Sequence, residues 1–374
     1  MFFRSFFGAF VSRLILTAQN DHAPISPAIQ NNQNVALQYL NVNSTHGARI
    51  NFCELRHTTQ QLPLQKRKII IHAEGNFQRY ESFMNGYVNE ARRHPECTIV
   101  AFNYRNVGES RGIATSQNDW IEDAVSVVNY YRVQGVPTEN ILLNGYSLSG
   151  AILTLAAAKI YAQDKAQNNQ AKSLKLINNR SFSDLSEMVM RFFLPGRRKA
   201  ILNTFIYLAC TALYFSWPMT AFLTTAVLLS STVSESIACQ LLKPWIKLIL
   251  WLNFGTLNAI KAYNSLPASA KDYIVAKNDQ NIQERPSLHL ALKPQRTIAQ
   301  RQLRESMVGK TGEQIQKLAA ELTNIKDCKL VGDPGINEHL VNLSFLRTAH
   351  QNRTVTITGE QVMDNKIRRL LATL

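Results

Sequence analysis

Ile141-Leu142-Leu143-Asn144-Gly145-Tyr146-Ser147-Leu148-Ser149-Gly150 carries an apolar strand straight into a glycine turn, and a small, alanine-rich run follows it (Ala151, Ala156, Ala157, Ala158). A strand, a sharp turn and a helix in that order hold a serine hydroxyl proud of the backbone at the positive end of the helix. Gly145 suits the bend because no Cβ fits two residues before the serine. One letter departs from the strict G-x-S-x-G pattern: Ser149 stands at the second glycine position, with Gly150 one place later. An ordinary strand-to-helix turn uses the same letters, so the rest of the chain has to decide.

The chain has 374 residues, 45% of them apolar, enough for one large α/β domain with insertions and a substantial core. Its five cysteines (Cys53, Cys97, Cys210, Cys239, Cys328) are scattered, with no C-x-x-C spacing and no clustering with histidine. That argues against a zinc site and a disulfide framework, and suits a reducing compartment. Lys and Arg number 41 against 26 Asp and Glu, a formal charge of +15. Such a surplus attracts polyanions. No zinc-finger or RNP-like aromatic pattern accompanies it, so nucleic acid is not the expected partner. The basic residues flank apolar stretches, as in Arg197-Arg198-Lys199, which points to an anionic membrane surface instead.

Along the chain, Val35–Val42 and Arg49–Arg56 alternate apolar and polar residues around Ser44-Thr45-His46-Gly47, the pattern of a β-hairpin. Apolar strand runs recur at Lys68–His72, Thr98–Tyr104, Asn140–Tyr146, Leu174–Asn178, Tyr273–Ala276 and Cys328–Gly332. Helical stretches fill the gaps, one reaching about Arg92 and one over about Asn118–Val133. Arg285–Lys326 and Leu340–Arg347 also read as helical. This order predicts an α/β fold: a mainly parallel twisted sheet, helices on both faces and an N-terminal antiparallel hairpin. Reacting groups in such sheets gather beyond the carboxyl ends of strands. Three loops there carry polar chemistry: His72-Ala73-Glu74-Gly75-Asn76, Asn103 to Gly112, and Lys277-Asn278-Asp279-Gln280.

With these loops in order around a serine elbow, the chain resembles the α/β-hydrolases from about Val35 to the C-terminus, apart from a large insertion. Gly145-Tyr146-Ser147-Leu148, the Tyr104-Arg105-Asn106-Val107-Gly108-Glu109-Ser110 loop and Asp279 followed by Ile282 carry the resemblance. Asn178-Asn179-Arg180-Ser181-Phe182-Ser183-Asp184-Leu185 and Asp279…Ser287-Leu288 are similar to phrases in a group of bacterial hydrolases that includes SidB-like effectors of legionellae. The resemblance implies a triad in the chain order Ser…Asp…His. Ser147 takes the nucleophile's place and Asp279 the acid's; His339, on the loop after the strand Cys328–Gly332, is preferred as base over His350. Asp279 and His339 stand further apart than a single helix requires, and Asp333, on the loop expected to carry the histidine, is the fallback acid. His289 reads as structural, and His72 as a residue that orients the loop it begins. The backbone N–H of Leu148 and a donor from loop 73–76, assigned to Glu74, would complete an oxyanion hole.

These residues predict a serine hydrolase, a carboxylic ester hydrolase of esterase or lipase type, that needs no metal and no organic cofactor. A serine peptidase or thioesterase would use the same triad, and a non-catalytic, membrane-associated effector would keep the fold without it. The expected substrate is a small-molecule or lipid ester.

Two segments point to a membrane-associated location, in the cytoplasm or, for a secreted effector, in a host cell. On a helix, Phe3, Phe7, Phe10 and Leu14 share one face of an amphipathic arm at 1–30. Within 31–374, an insertion at about 186–262 holds the stretch from Ala200 to Ser234, which contains no charged residue. Trp217-Pro218 divides that stretch into halves near the lower limit of about 17 residues for spanning a bilayer. One crossing would put Ser147 and its partners on opposite sides, so a hairpin dipping into the membrane or an apolar lid fits better. Trp245 and Trp251, with Lys243 and Lys247, suit an interfacial position.

Overall fold

The computed structural model describes residues 34–76, 78–188, 254–276 and 358–372, with short pieces at 247–248, 250–251, 287–292, 297–298, 305–306, 329–331 and 347–348 and single residues 9 and 301. Apart from residue 9, the arm at 1–30 lies outside the described residues, as do the charge-free stretch 200–234 and Asp279, His339, Asp333 and His350.

Nine strands form one sheet in the order β1-β2-β4-β3-β5-β6-β7-β8-β9. The hairpin is β1 (Val35–Asn43) and β2 (Arg49–His57), paired antiparallel across its whole length. β2 continues antiparallel onto β4 (Cys97–Phe102). From there β3 (Lys68–Ala73), β5 (Ile141–Tyr146), β6 (Lys175–Asn179), β7 (Lys271–Ala276) and β8 (Lys329–Val331) run parallel. β9 (Arg347–Thr348) closes the sheet antiparallel to β8. Every strand run expected from the sequence is present. β9 is an addition: its first residue, Arg347, ends the stretch Leu340–Arg347 that the sequence reads as helix.

The apolar runs have no polar alternation because both faces of the sheet are covered. Ile69, Ile71, Ile141 and Leu143 enter a core with α2 (Gln117–Val133), α3 (Leu148–Gln167) and α4 (Ala259–Ser265). Their neighbours Ile70, Ile99 and Leu142 face the other way, into a second core with α1 (Met84–Arg93) and α5 (Gly359–Ala372). Side chains alternate faces along a strand, so one isoleucine run serves two cores. The same alternation sends His72 and Asn144 to the α1–α5 side, the parity of Ile70 and Leu142. Hairpin first, parallel strands after, helices on both faces and β3 crossing to sit between β4 and β5: this is the α/β-hydrolase fold.

Candidate active site

Ser147 links β5 to α3 with φ 53° and ψ −119°. A non-glycine residue with positive φ is strained, and such strain persists only where its surroundings enforce it. They do so here from three sides. A Cβ on Gly145 would lie 2.5 Å from the backbone oxygen of Ser149 and 2.7 Å from its carbonyl carbon, so glycine is required at that position. The Ser147 N–H donates to the carbonyl of Asn179 at the end of β6 (2.9 Å), and the Gly150 N–H donates to the Ser147 carbonyl (3.0 Å). Helix α3 begins at Leu148, so the Leu148 N–H lies in the first turn, at the helix end that favours negative charge.

The second glycine of the elbow is Gly150. Its missing Cβ would come within 2.6 Å of the Ser181 Cβ, so its bareness lets α3 approach the chain leaving β6. Asn178 fixes the same contact: its Nδ2 donates to the Gly150 carbonyl (2.9 Å) and to Thr154 Oγ1 (3.0 Å). After Asn179 the chain turns through Arg180, also at positive φ (51°), whose N–H donates to the Ile274 carbonyl on β7 (2.8 Å). The buried Arg180 guanidinium lies 4.7 Å from the ring centre of Tyr146, the residue before Ser147. Phe182 then bridges to Ser287, and the Leu288 N–H donates to the Ser181 carbonyl (3.1 Å). Ser181-Phe182 and Ser287-Leu288, the described ends of the two phrases, therefore meet in space, and the first phrase is the counter-surface of the elbow.

The loop after β3 rests on Ser147 itself. A Cβ on Gly75 would sit 3.0 Å from the Ser147 Cβ and 3.1 Å from the Tyr146 ring. Glu74, next to it, accepts a hydrogen bond on its carboxyl from the Tyr87 hydroxyl of α1, and on its backbone carbonyl from the Ser149 hydroxyl. Burial pushes the Glu74 carboxyl up from its ordinary value, against the Tyr87 hydrogen bond and the charges of His72 and Arg180. His72 reaches Glu90 of α1 through Nε2 (3.1 Å) and Asn144 through Nδ1 (3.3 Å). Burial pulls the His72 imidazole down, but the charge and hydrogen bond of Glu90 together with the charge of Glu74 outweigh it, and the net shift is upward. These contacts tie His72, on the strand that leads into the loop, to α1 and β5. A cavity of about 300 Å³ opens beside it, lined among others by His72, Glu74, Tyr87, Asn144, Tyr146 and Arg180.

The second informative loop is structural. Arg105 is 1% exposed and holds Asp123 through Nε (3.0 Å) and Nη2 (2.7 Å) and Asp119 through Nη1 (3.1 Å). Its Nη2 also reaches Ser44 and Thr45 (3.3 Å each), tying the hairpin turn to α2.

The structure thus brings together Ser147, Leu148 and Glu74. Of the strand meant to carry the acid it describes β7 to Ala276, next to β6 with Asn179 opposite Ile274. Sequence reasoning passed over Tyr87, Gln78, Glu90 and the role of Ser149; the departing letter at 149 was the one visible signal. Among the described residues no group of His, Cys, Asp and Glu could hold a metal, and no helix is long and apolar enough to cross a membrane.

No family model matches the chain, and no curated protein does. Several solved structures resemble it. An α/β-hydrolase from Vibrio vulnificus is 14% identical, with 98% of this chain and 94% of that one covered and a TM-score of 0.46. An esterase from Pyrococcus furiosus is 11% identical, with 79% and 80% covered and a TM-score of 0.38. A hypothetical protein from Pseudomonas aeruginosa is 18% identical with a TM-score of 0.35; 50% of this chain is covered and the chain spans 56% of that protein. At these identities and scores the fold is carried by the strand order and the elbow described above.

Proposed function

We propose that this protein is a serine hydrolase that cleaves a carboxylic ester by acyl transfer through Ser147. The observation that supports it most is the strained Ser147 at the start of α3 with Gly75 seated on its Cβ. Strain of this kind, overdetermined by Gly145, Asn179 and Gly150, has no packing benefit of its own. It presents a hydroxyl at a helix N-terminus beside a loop with backbone donors, which is what an acyl-transfer site needs.

In this reading His339 accepts the proton of Ser147 and Asp279 holds the imidazole in the right tautomer. The hydroxyl is a weak nucleophile until that proton is taken. The tetrahedral oxyanion is met by the Leu148 N–H and by loop 73–76, Glu74 included. Water then deacylates the enzyme. The substrate is a small-molecule or lipid ester, presented at a membrane surface that the charge-free insertion and the arm at 1–30 engage.

A fluorophosphonate probe tests the nucleophile. The wild type is expected to be labelled at Ser147 and S147A to be spared, with H339A and D279A labelled at least about 100-fold more slowly. A wild type that takes no label, or label that persists in S147A, defeats the proposal.

A further inference from the structure

Ser149, the letter that breaks the motif, has a fully buried side chain whose hydroxyl donates to the Glu74 carbonyl. The next N–H along, that of Gly75, donates to the side-chain Oε1 of Gln78 (3.1 Å). In a trans peptide the carbonyl and the following N–H point to opposite sides of the chain. The Glu74–Gly75 peptide is therefore gripped at both ends, by the nucleophile's helix on one side and by its own loop on the other. Tyr87 adds a third hold through the Glu74 carboxyl. The gripped peptide also lies close to the nucleophile, because a Cβ on Gly75 would stand only 3.0 Å from the Ser147 Cβ.

We infer that Ser149 and Gln78 are positioning residues for the oxyanion loop, holding the Glu74–Gly75 peptide so that the loop's donors keep a fixed distance from Ser147. The inference rests on the hydrolase reading above. A glycine at 149 would leave the Glu74 carbonyl without this donor and the peptide held from the Gln78 side alone. Because the Gly75 N–H is spent on Gln78, the loop's contribution to the oxyanion comes from its other amides. Their placement depends on the plane of this peptide. Transition-state donors act only if they are already in place, and misplacement of about 1 Å costs on the order of 100-fold in rate.

The test compares S149A, S149G, Q78L and Q78E in the full chain, with p-nitrophenyl butyrate as substrate and a trifluoromethyl ketone as inhibitor. S149A, S149G and Q78L are expected to lower kcat about 10- to 100-fold with KM within about 3-fold of wild type. The ketone, whose adduct carries the oxyanion, should lose potency in the same proportion. Q78E keeps an acceptor for the Gly75 N–H and should recover most of what Q78L loses. The Gly75 amide is expected to exchange with deuterium faster in S149A than in wild type. Wild-type kcat in S149A together with unchanged Gly75 exchange overturns the inference. So does a loss in Q78L that Q78E does not recover and that follows a loss of helix by circular dichroism. Should the wild type neither hydrolyse the ester nor take label at Ser147, the hydrolase reading fails, and Gly75 exchange alone then decides the grip.

Discussion

Gly145 and Gly150 show how two absent methyl groups place one hydroxyl. The Gly145 hydrogen faces the Ser149 backbone oxygen at a distance no Cβ tolerates, and backbone inside a helix turn does not move aside. G145A is accordingly expected to destabilise the protein by about 3 kcal/mol, the upper range for overpacking, and to abolish labelling at Ser147. Gly150 differs because its obstacle is the Ser181 Cβ at 2.6 Å, with the Gly145 carbonyl at 2.9 Å. G150A should cost about 1–3 kcal/mol, and S181G should recover a good part of it. A double-mutant cycle by urea unfolding checks this, with a coupling near zero counting against the contact. At this scale the sequence was partly legible. Gly145 and Ser147 announced themselves through a known turn, whereas Ser149 read as a defect. Its partner, the Glu74 carbonyl, belongs to another strand's loop, and a backbone acceptor has no letter in a sequence.

Among elements, the loop Tyr104–Ser110 resembles a family phrase, and its arginine could pass for a substrate-binding cation. Its burial shows otherwise. Arg105 sits at 1% exposure against two aspartates, while Asp119 also accepts from the Thr115 and Ser116 N–H groups that start α2 (2.7 and 2.9 Å). Removing one member of such a set leaves an unpaired buried charge, which costs about 3–5 kcal/mol. R105M is expected to fall in that range by denaturant unfolding, and R105M/D123L to regain much of the loss because no lone charge remains at position 123. A double variant no more stable than R105M would show that the pair is not exchangeable for apolar contact. The strands were easier to read than this loop, because an uninterrupted apolar run such as Ile69-Ile70-Ile71 can only be stable where both faces are covered. The pairing of β3 between β4 and β5 was not legible, since it arises from a crossover rather than from any local pattern. Helix α5 was missed as well. Its anchors, Asp364 to His94 (3.0 Å) and Lys366 to Asp272 (2.8 Å), join it to α1 and β7 across long separations in the chain.

For the molecule as a whole, the sheet now sets the rule for the charge-free insertion without appeal to the triad. β6 enters that insertion and β7 leaves it, yet the two strands pair in parallel, with Leu176 opposite Lys271 and Asn179 opposite Ile274. Helix α4, just before β7, packs with α3 in the same core. The chain segments that flank 189–246 therefore share one sheet, and the proposed membrane docking has to keep both of them on the same side. A dipping hairpin or an apolar lid satisfies this, and the basic Arg197-Arg198-Lys199 at its edge would meet anionic headgroups. The full chain is expected to float with vesicles containing phosphatidylserine, and to do so less well at 1 M salt, where the Debye length falls to about 3 Å. The variant lacking 200–234 should stay in the soluble fraction while still taking fluorophosphonate at Ser147, which reports an intact elbow. Flotation of that variant at the wild-type level would move membrane binding to the face of Phe3, Phe7, Phe10 and Leu14, and deletion of 1–30 would then abolish it.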